Sequence, residues 1–81
     1  MNKSKFSVIK MPYADVILRE QYPAIGSLDI WEDVFYVHKN GGMPKPEELH
    51  ECDQFDTFDE ALKDAVSKFF IRTFKLPEEG V

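Results

Sequence analysis

Residues 57–75, TFDEALKDAVSKFFIRTFK, limit most strongly what this chain can fold into. Phe58, Ala61, Leu62, Ala65, Val66, Phe69, Phe70, Thr73 and Phe74 recur at helical spacing and make a wide apolar face. Thr57 followed by Glu60 has the spacing of a capping box, in which each residue can satisfy an orphan backbone donor of the other. Asp59 and Glu60 fall in the first turn and Lys68, Arg72 and Lys75 near the end, which suits the helix dipole. Asp59–Lys63 and Asp64–Lys68 are i,i+4 pairs on the outer face, and Pro77 is expected to stop the helix. A helix with so broad an apolar face needs a surface to lie on.

The rest of the chain predicts that surface. KFSVIKM alternates as a strand, and Pro12 ends it. YADVILRE fits a strand through Ala14, Val16 and Leu18, with a short helix starting at Pro12 as the alternative. QYPAIGS reads as a connection, because Pro23 restricts Tyr22 and Gly26 permits a turn. DIWEDVFYVHK carries apolar groups on both faces, Phe35 and Val37 on one, Val34 and Tyr36 on the other, which places it centrally in a sheet. NGG turns the chain, and MPKPEEL is a loop with a helical turn beginning at Pro46. HECDQF returns as a short strand. The fold class is α+β: a small antiparallel sheet of three to four strands, covered on one face by a single C-terminal amphipathic helix. Residues 1–81 make one domain, with a loose tail from about 77.

A chain of 81 residues buries only about 60–65 % of its unfolded surface. Eleven aromatic residues, seven of them Phe, supply large buried areas, so neither a disulfide nor a metal is needed for stability. A single cysteine forms no internal bridge, no apolar run exceeds four residues, and the N-terminal lysines precede no signal-like segment. These features point to a cytoplasmic protein without a membrane span.

Both histidines and the cysteine, His38, His50 and Cys52, fall within FYVHKNGGMPKPEELHEC. A zinc site would need His50 and Cys52 on one side of a strand, His38 facing them, and Glu47 or Asp53 as fourth ligand. H-x11-H-x-C is not a spacing with a recognised mechanical basis. The plainer reading makes the histidines cross-strand neighbours and Cys52 a small buried residue. Nucleophilic chemistry at Cys52 is opposed by Glu51 and Asp53 on either side, whose field disfavours a thiolate. No phosphate-binding loop or catalytic triad context accompanies them, and the expectation is a non-enzymatic protein without cofactor or metal.

Charge is the remaining signal. The formal net charge is −5, and all the excess lies in the second half of the chain. Glu47, Glu48, Glu51, Asp53, Asp56, Asp59 and Glu60 follow one another without an intervening Lys or Arg. Loop, return strand and helix start are expected to present them on one acidic rim. Direct nucleic-acid binding is disfavoured, since phosphates require cations. A basic protein surface, such as nucleic-acid-handling proteins carry, is the partner such a rim attracts, with Trp31, Met43 and Leu49 as apolar anchors. The sequence therefore predicts a protein-binding inhibitor or modulator. Two alternatives are a homodimer through the apolar helix end at Phe70, Ile71 and Phe74, and a His/Cys metal-binding factor.

Overall fold

The computed structural model describes residues 4–24 and 29–76. Four strands, β1 (Lys5–Ile9), β2 (Ile17–Pro23), β3 (Trp31–His38) and β4 (Cys52–Phe55), form one antiparallel sheet in the order β1-β2-β3-β4. A 3₁₀ turn, Pro46–Glu51, precedes β4, and α1 (Phe58–Phe74) lies across one face. This is the α+β arrangement of a small sheet under one C-terminal helix.

The segment YADVILRE divides. Residues 12–15 turn the chain, with Tyr13 in the left-handed region at φ 60°, and Ile17 opens β2. The strand continues to Pro23, further than a connection starting at Gln21 would allow. Proline is tolerated there because its nitrogen faces the β1 side, past Gln21, where the described pairing with β1 has ended. Gly26 lies outside the described residues, as do Pro77 and the expected tail. In the NGG turn the glycines take the positive dihedrals, Gly41 at φ 78° and Gly42 at φ 95°. The helix ends on Lys75 in the left-handed conformation, and the Leu76 N–H donates to the Ile71 carbonyl at 3.0 Å.

Burial explains why β3 is central. Phe35 and Val37 join Ile17 under Ala61 and Ala65 of α1. Val37, Ala61 and Ala65 are each 0 % exposed, so two methyl groups in place of larger side chains let the helix backbone come down on the sheet. Phe58 closes the N-terminal end of this layer against Phe35, ring edge to face at 5.8 Å. On the opposite face Leu18, Val34, Tyr36 and Cys52 form a second, smaller cluster, covered in part by Leu49 of the 3₁₀ turn and by Tyr22. Each large apolar side chain fully buried in these layers stabilises by about 1.5–3 kcal/mol.

At its start α1 is capped by Thr57, whose hydroxyl accepts from the Glu60 N–H at 3.3 Å and donates to Glu60 Oε1 at 3.0 Å. Half of the expected capping box is thus formed; the Glu60 carboxylate takes the Thr57 hydroxyl in place of its backbone N–H. Lys68 bridges Asp64, its i−4 neighbour, and Asp53 of β4, the latter at 2.7 Å. Burial works against the Lys68 ammonium, but the two carboxylates outweigh it and hold its pKa above the usual value.

Near the other end Arg72 grips Asp15 through both oxygens, at 2.5 and 2.8 Å. Asp15 is only 4 % exposed, so the pair supplies the charge partner that a buried carboxylate requires. Gly41 sits against this pair: a Cβ there would lie 2.0 Å from Arg72 Nη1. A Cβ on Gly42 would meet nothing within 4 Å. Gly41→Ala should therefore cost about 2–3 kcal/mol and Gly42→Ala about 1 kcal/mol, because both force a side chain into left-handed φ but only the first dislodges Arg72. Urea unfolding of the two variants measures the difference, and equal losses would remove Gly41 from any role in holding the ion pair.

Candidate functional site

The three chemically suggestive residues do not assemble as a zinc site would demand. His50 belongs to the 3₁₀ turn, not to β4, and its side chain is 76 % exposed. His38 stands opposite Cys52 in the β3–β4 register, so the two histidines are not cross-strand partners either. Both imidazoles approach the same carboxylate, His38 Nε2 at 3.6 Å from Glu51 Oε1 and His50 Nε2 at 3.4 Å from Glu51 Oε2. His38 Nδ1 accepts the Asn40 N–H at 3.1 Å, which leaves the ring hydrogen on Nε2, toward Glu51. Among the described residues no three His, Cys, Asp or Glu side chains are grouped to hold a metal ion.

Cys52 is buried, and its thiol donates to the Glu48 carbonyl at 3.5 Å. Burial first, then the Glu48, Glu51 and Asp53 carboxylates, push the thiol above its ordinary pKa, and Lys68 opposes them only weakly. On the same sheet face Tyr36 donates its hydroxyl to Glu20 Oε1 at 2.8 Å; burial and this carboxylate together raise the phenol well above its usual range. Neither group is disposed toward the anionic form that nucleophilic chemistry uses.

The acidic residues separate into two groups. Glu47, Glu48 and Glu51 precede β4, while Asp56, Asp59 and Glu60 follow it. Glu51 and Asp56 are five residues apart across a strand, about 17 Å at ~3.3 Å per residue. That is about two Debye lengths at physiological salt, so the groups act separately and the single rim is replaced by two acidic ends. Asp53, between them, shares Lys68 with Asp64. The expected anchors also differ in availability. Leu49 packs against the second cluster, Trp31 is 38 % exposed with Lys5 Nζ over its ring at 4.7 Å, and Met43 is exposed.

The end beyond β4 gains residues that the sequence reading left out. A depression of about 550 Å³ is lined by Tyr22, Glu32, Asp33, Phe35, Asp56, Thr57 and Phe58. Its lining combines the rings of Tyr22, Phe35 and Phe58 with the carboxylates of Glu32, Asp33 and Asp56. Asp33 is held by Arg19 at 3.2 and 3.3 Å, whereas Glu32 and Asp56 are exposed. Glu32 and Asp33 escaped attention because the first half of the chain is neutral in sum; only the folding of β3 beside the helix start brings them to Asp56. A second hollow, about 290 Å³, is lined by Lys39, Asn40, Lys68, Ile71 and Arg72, but Lys68 and Arg72 already hold carboxylates there.

The Cys52 environment has a measurable consequence. In the folded protein the thiol should react with a disulfide reagent at pH 8 at least about tenfold more slowly than in urea, since both burial and a raised pKa withhold the thiolate. Because the folded-state pKa is raised, this group's contribution to stability is complete below the ordinary thiol pKa and is lost as pH rises through the folded value. Equal rates in both states would contradict the buried placement.

No protein-family model, curated protein or solved structure matches the chain, so its fold and surface chemistry are read from its own residues.

Proposed function

We propose that this protein is a small, cytoplasmic, non-enzymatic binding module that docks an acidic end on a basic surface of another protein. Surfaces built to hold nucleic acid are of that kind, and occupying one makes the module an inhibitor or modulator. The observation that carries this reading is the placement of charge: the exposed lysines Lys10, Lys39, Lys45, Lys63 and Lys75 are spread along the chain, whereas exposed carboxylates gather at the two ends of β4. Arg19, Lys68 and Arg72 are each held by a carboxylate of the same chain and Lys5 rests on Trp31. Glu32, Glu47, Asp56, Asp59 and Glu60 meanwhile stay exposed. The field leaving the molecule at both ends of β4 is therefore negative, and it favours fast encounter with a cationic partner. Trp31 and Met43 lie exposed as apolar contacts, and Leu49 supports the fold instead.

The test is capture from native lysate at about 50 and 500 mM salt with wild type, Glu32→Lys/Asp56→Lys and Glu47→Lys/Glu48→Lys, a range over which screening rises several-fold. Basic proteins should be retained at low salt and released at high salt, and one of the two charge reversals should slow association by about tenfold or more. Capture indifferent to both salt and charge reversal would sink the reading.

One observation favours a second reading. Phe70 stacks on Phe74 with centroids 5.4 Å apart, and Phe74 and Tyr13 are 59 % and 70 % exposed. A homodimer through this end would sediment as a dimer that Phe74→Glu converts to monomer.

A further inference from the structure

β3 is eight residues long and β4 only four. Their pairing runs from His38–Cys52 to Phe35–Phe55 and stops, so among the described residues Trp31–Val34 have β2 on one side and no strand on the other. In an antiparallel ladder the N–H and C=O of one residue point to the same side, and successive residues alternate. The Lys39 N–H donates to Glu51 O, on the β4 side, and the Ile30 carbonyl accepts from Ala24 N, on the β2 side. Odd-numbered residues of β3 thus direct their backbone groups toward β4. The N–H and C=O of Trp31 and Asp33 accordingly face the gap where β4 has ended.

That gap is the aromatic and acidic depression. Side chains alternate across the strand, so Glu32 stands on the face opposite α1 and Asp33 on the α1 face, with Asp56 alongside. A chain laid against Trp31–Val34 therefore meets the exposed carboxylate of Glu32 on one face, whereas Asp33 on the other is already held by Arg19. Phe35 and Phe58 offer apolar surface on the α1 face, where apolar side chains of the added segment can rest. An acidic or apolar segment would gain the same backbone hydrogen bonds but would meet repulsion or leave the carboxylates without partners.

We propose that the open half of β3 accepts an extended, lysine- or arginine-bearing segment of the partner protein as an added strand, held by the backbone groups of Trp31 and Asp33 and by Glu32 and Asp56. This deepens the acidic-surface reading and rests on it. Backbone pairing gives such strand addition its affinity, and the flanking side chains give it selectivity. Basic residues at alternate positions share one face, so the favoured segment sets its cations toward Glu32 and its apolar side chains toward Phe35 and Phe58.

The probe is the capped heptapeptide Thr-Lys-Val-Arg-Val-Lys-Thr, titrated into isotopically labelled protein. Two N-methylated isomers, each blocking alternate backbone donors, and a version with Glu for every Lys and Arg serve as comparators. The parent peptide should shift the amides of Trp31–Val34 and Asp56–Phe58 and slow exchange at Trp31 and Asp33 by about tenfold or more at saturation. One N-methylated isomer should bind about tenfold more weakly, and Glu32→Lys/Asp56→Lys should abolish binding of the parent. If both N-methylated isomers bind as tightly as the parent, cations are attracted without strand addition; the proposal falls and the acidic-surface reading stands. If the glutamate peptide binds equally well, both fall. Protection of Trp31 and Asp33 that rises with protein concentration alone would assign the edge to a second copy and overturn the proposal.

Discussion

The close descent of α1 onto the sheet, made possible by the fully buried Ala61 and Ala65, sets the position of nearly everything else. It carries Phe58 to Phe35 at one end and Arg72 to Asp15 at the other. Between them it brings Lys68 over Asp53. A larger residue at either alanine would lift the helix and pull these contacts apart together, because close-packed interiors transmit a local misfit. The acidic depression belongs to the same arrangement: Asp56 and Thr57 reach the open part of β3 because the helix begins there.

Much of this was legible beforehand because periodicity and turn chemistry are local. The nine apolar positions from Phe58 to Phe74 required a helix with a cover, and alternation around Phe35 and Val37 required a strand buried on both sides. Two boundaries were harder. Tyr13 adopts a left-handed conformation that its type disfavours, and Pro23 ends a strand where proline more often signals a loop. In both cases neighbouring strands decide the backbone, and local preference yields.

The surface was less legible, for a different reason. Charge density along the chain showed the seven acids from Glu47 to Glu60 as a single run. In space β4 is an interval inside that run: it separates three of them from three others and places the seventh under Lys68. The 3₁₀ turn likewise removes Leu49 from the surface and turns His50 outward. Strand-length mismatch between β3 and β4 was the signal that could have located Glu32 and Asp33, but it requires both strand ends to be known. His38, His50 and Cys52 illustrate the converse. Proximity in sequence placed them together; the fold sets both imidazoles beside Glu51, gives His38 the Asn40 N–H as well, and turns the Cys52 thiol to the Glu48 carbonyl.

The ion pair between Asp15 and Arg72 joins residues 57 positions apart, and the helix that covers the sheet is the last of the described elements. Synthesis therefore produces Ile17, Phe35 and Val37 before anything exists to cover them. At ~5–20 residues per second, the 17 residues of α1 follow β4 after about one to three seconds. For that interval the nascent strands present apolar side chains and unpaired edges to the surrounding solution, and the carboxylate of Asp15 waits without its cation. Hydrophobic collapse takes microseconds. The pace of translation, not the pace of folding, sets how long this sheet remains exposed to misassociation.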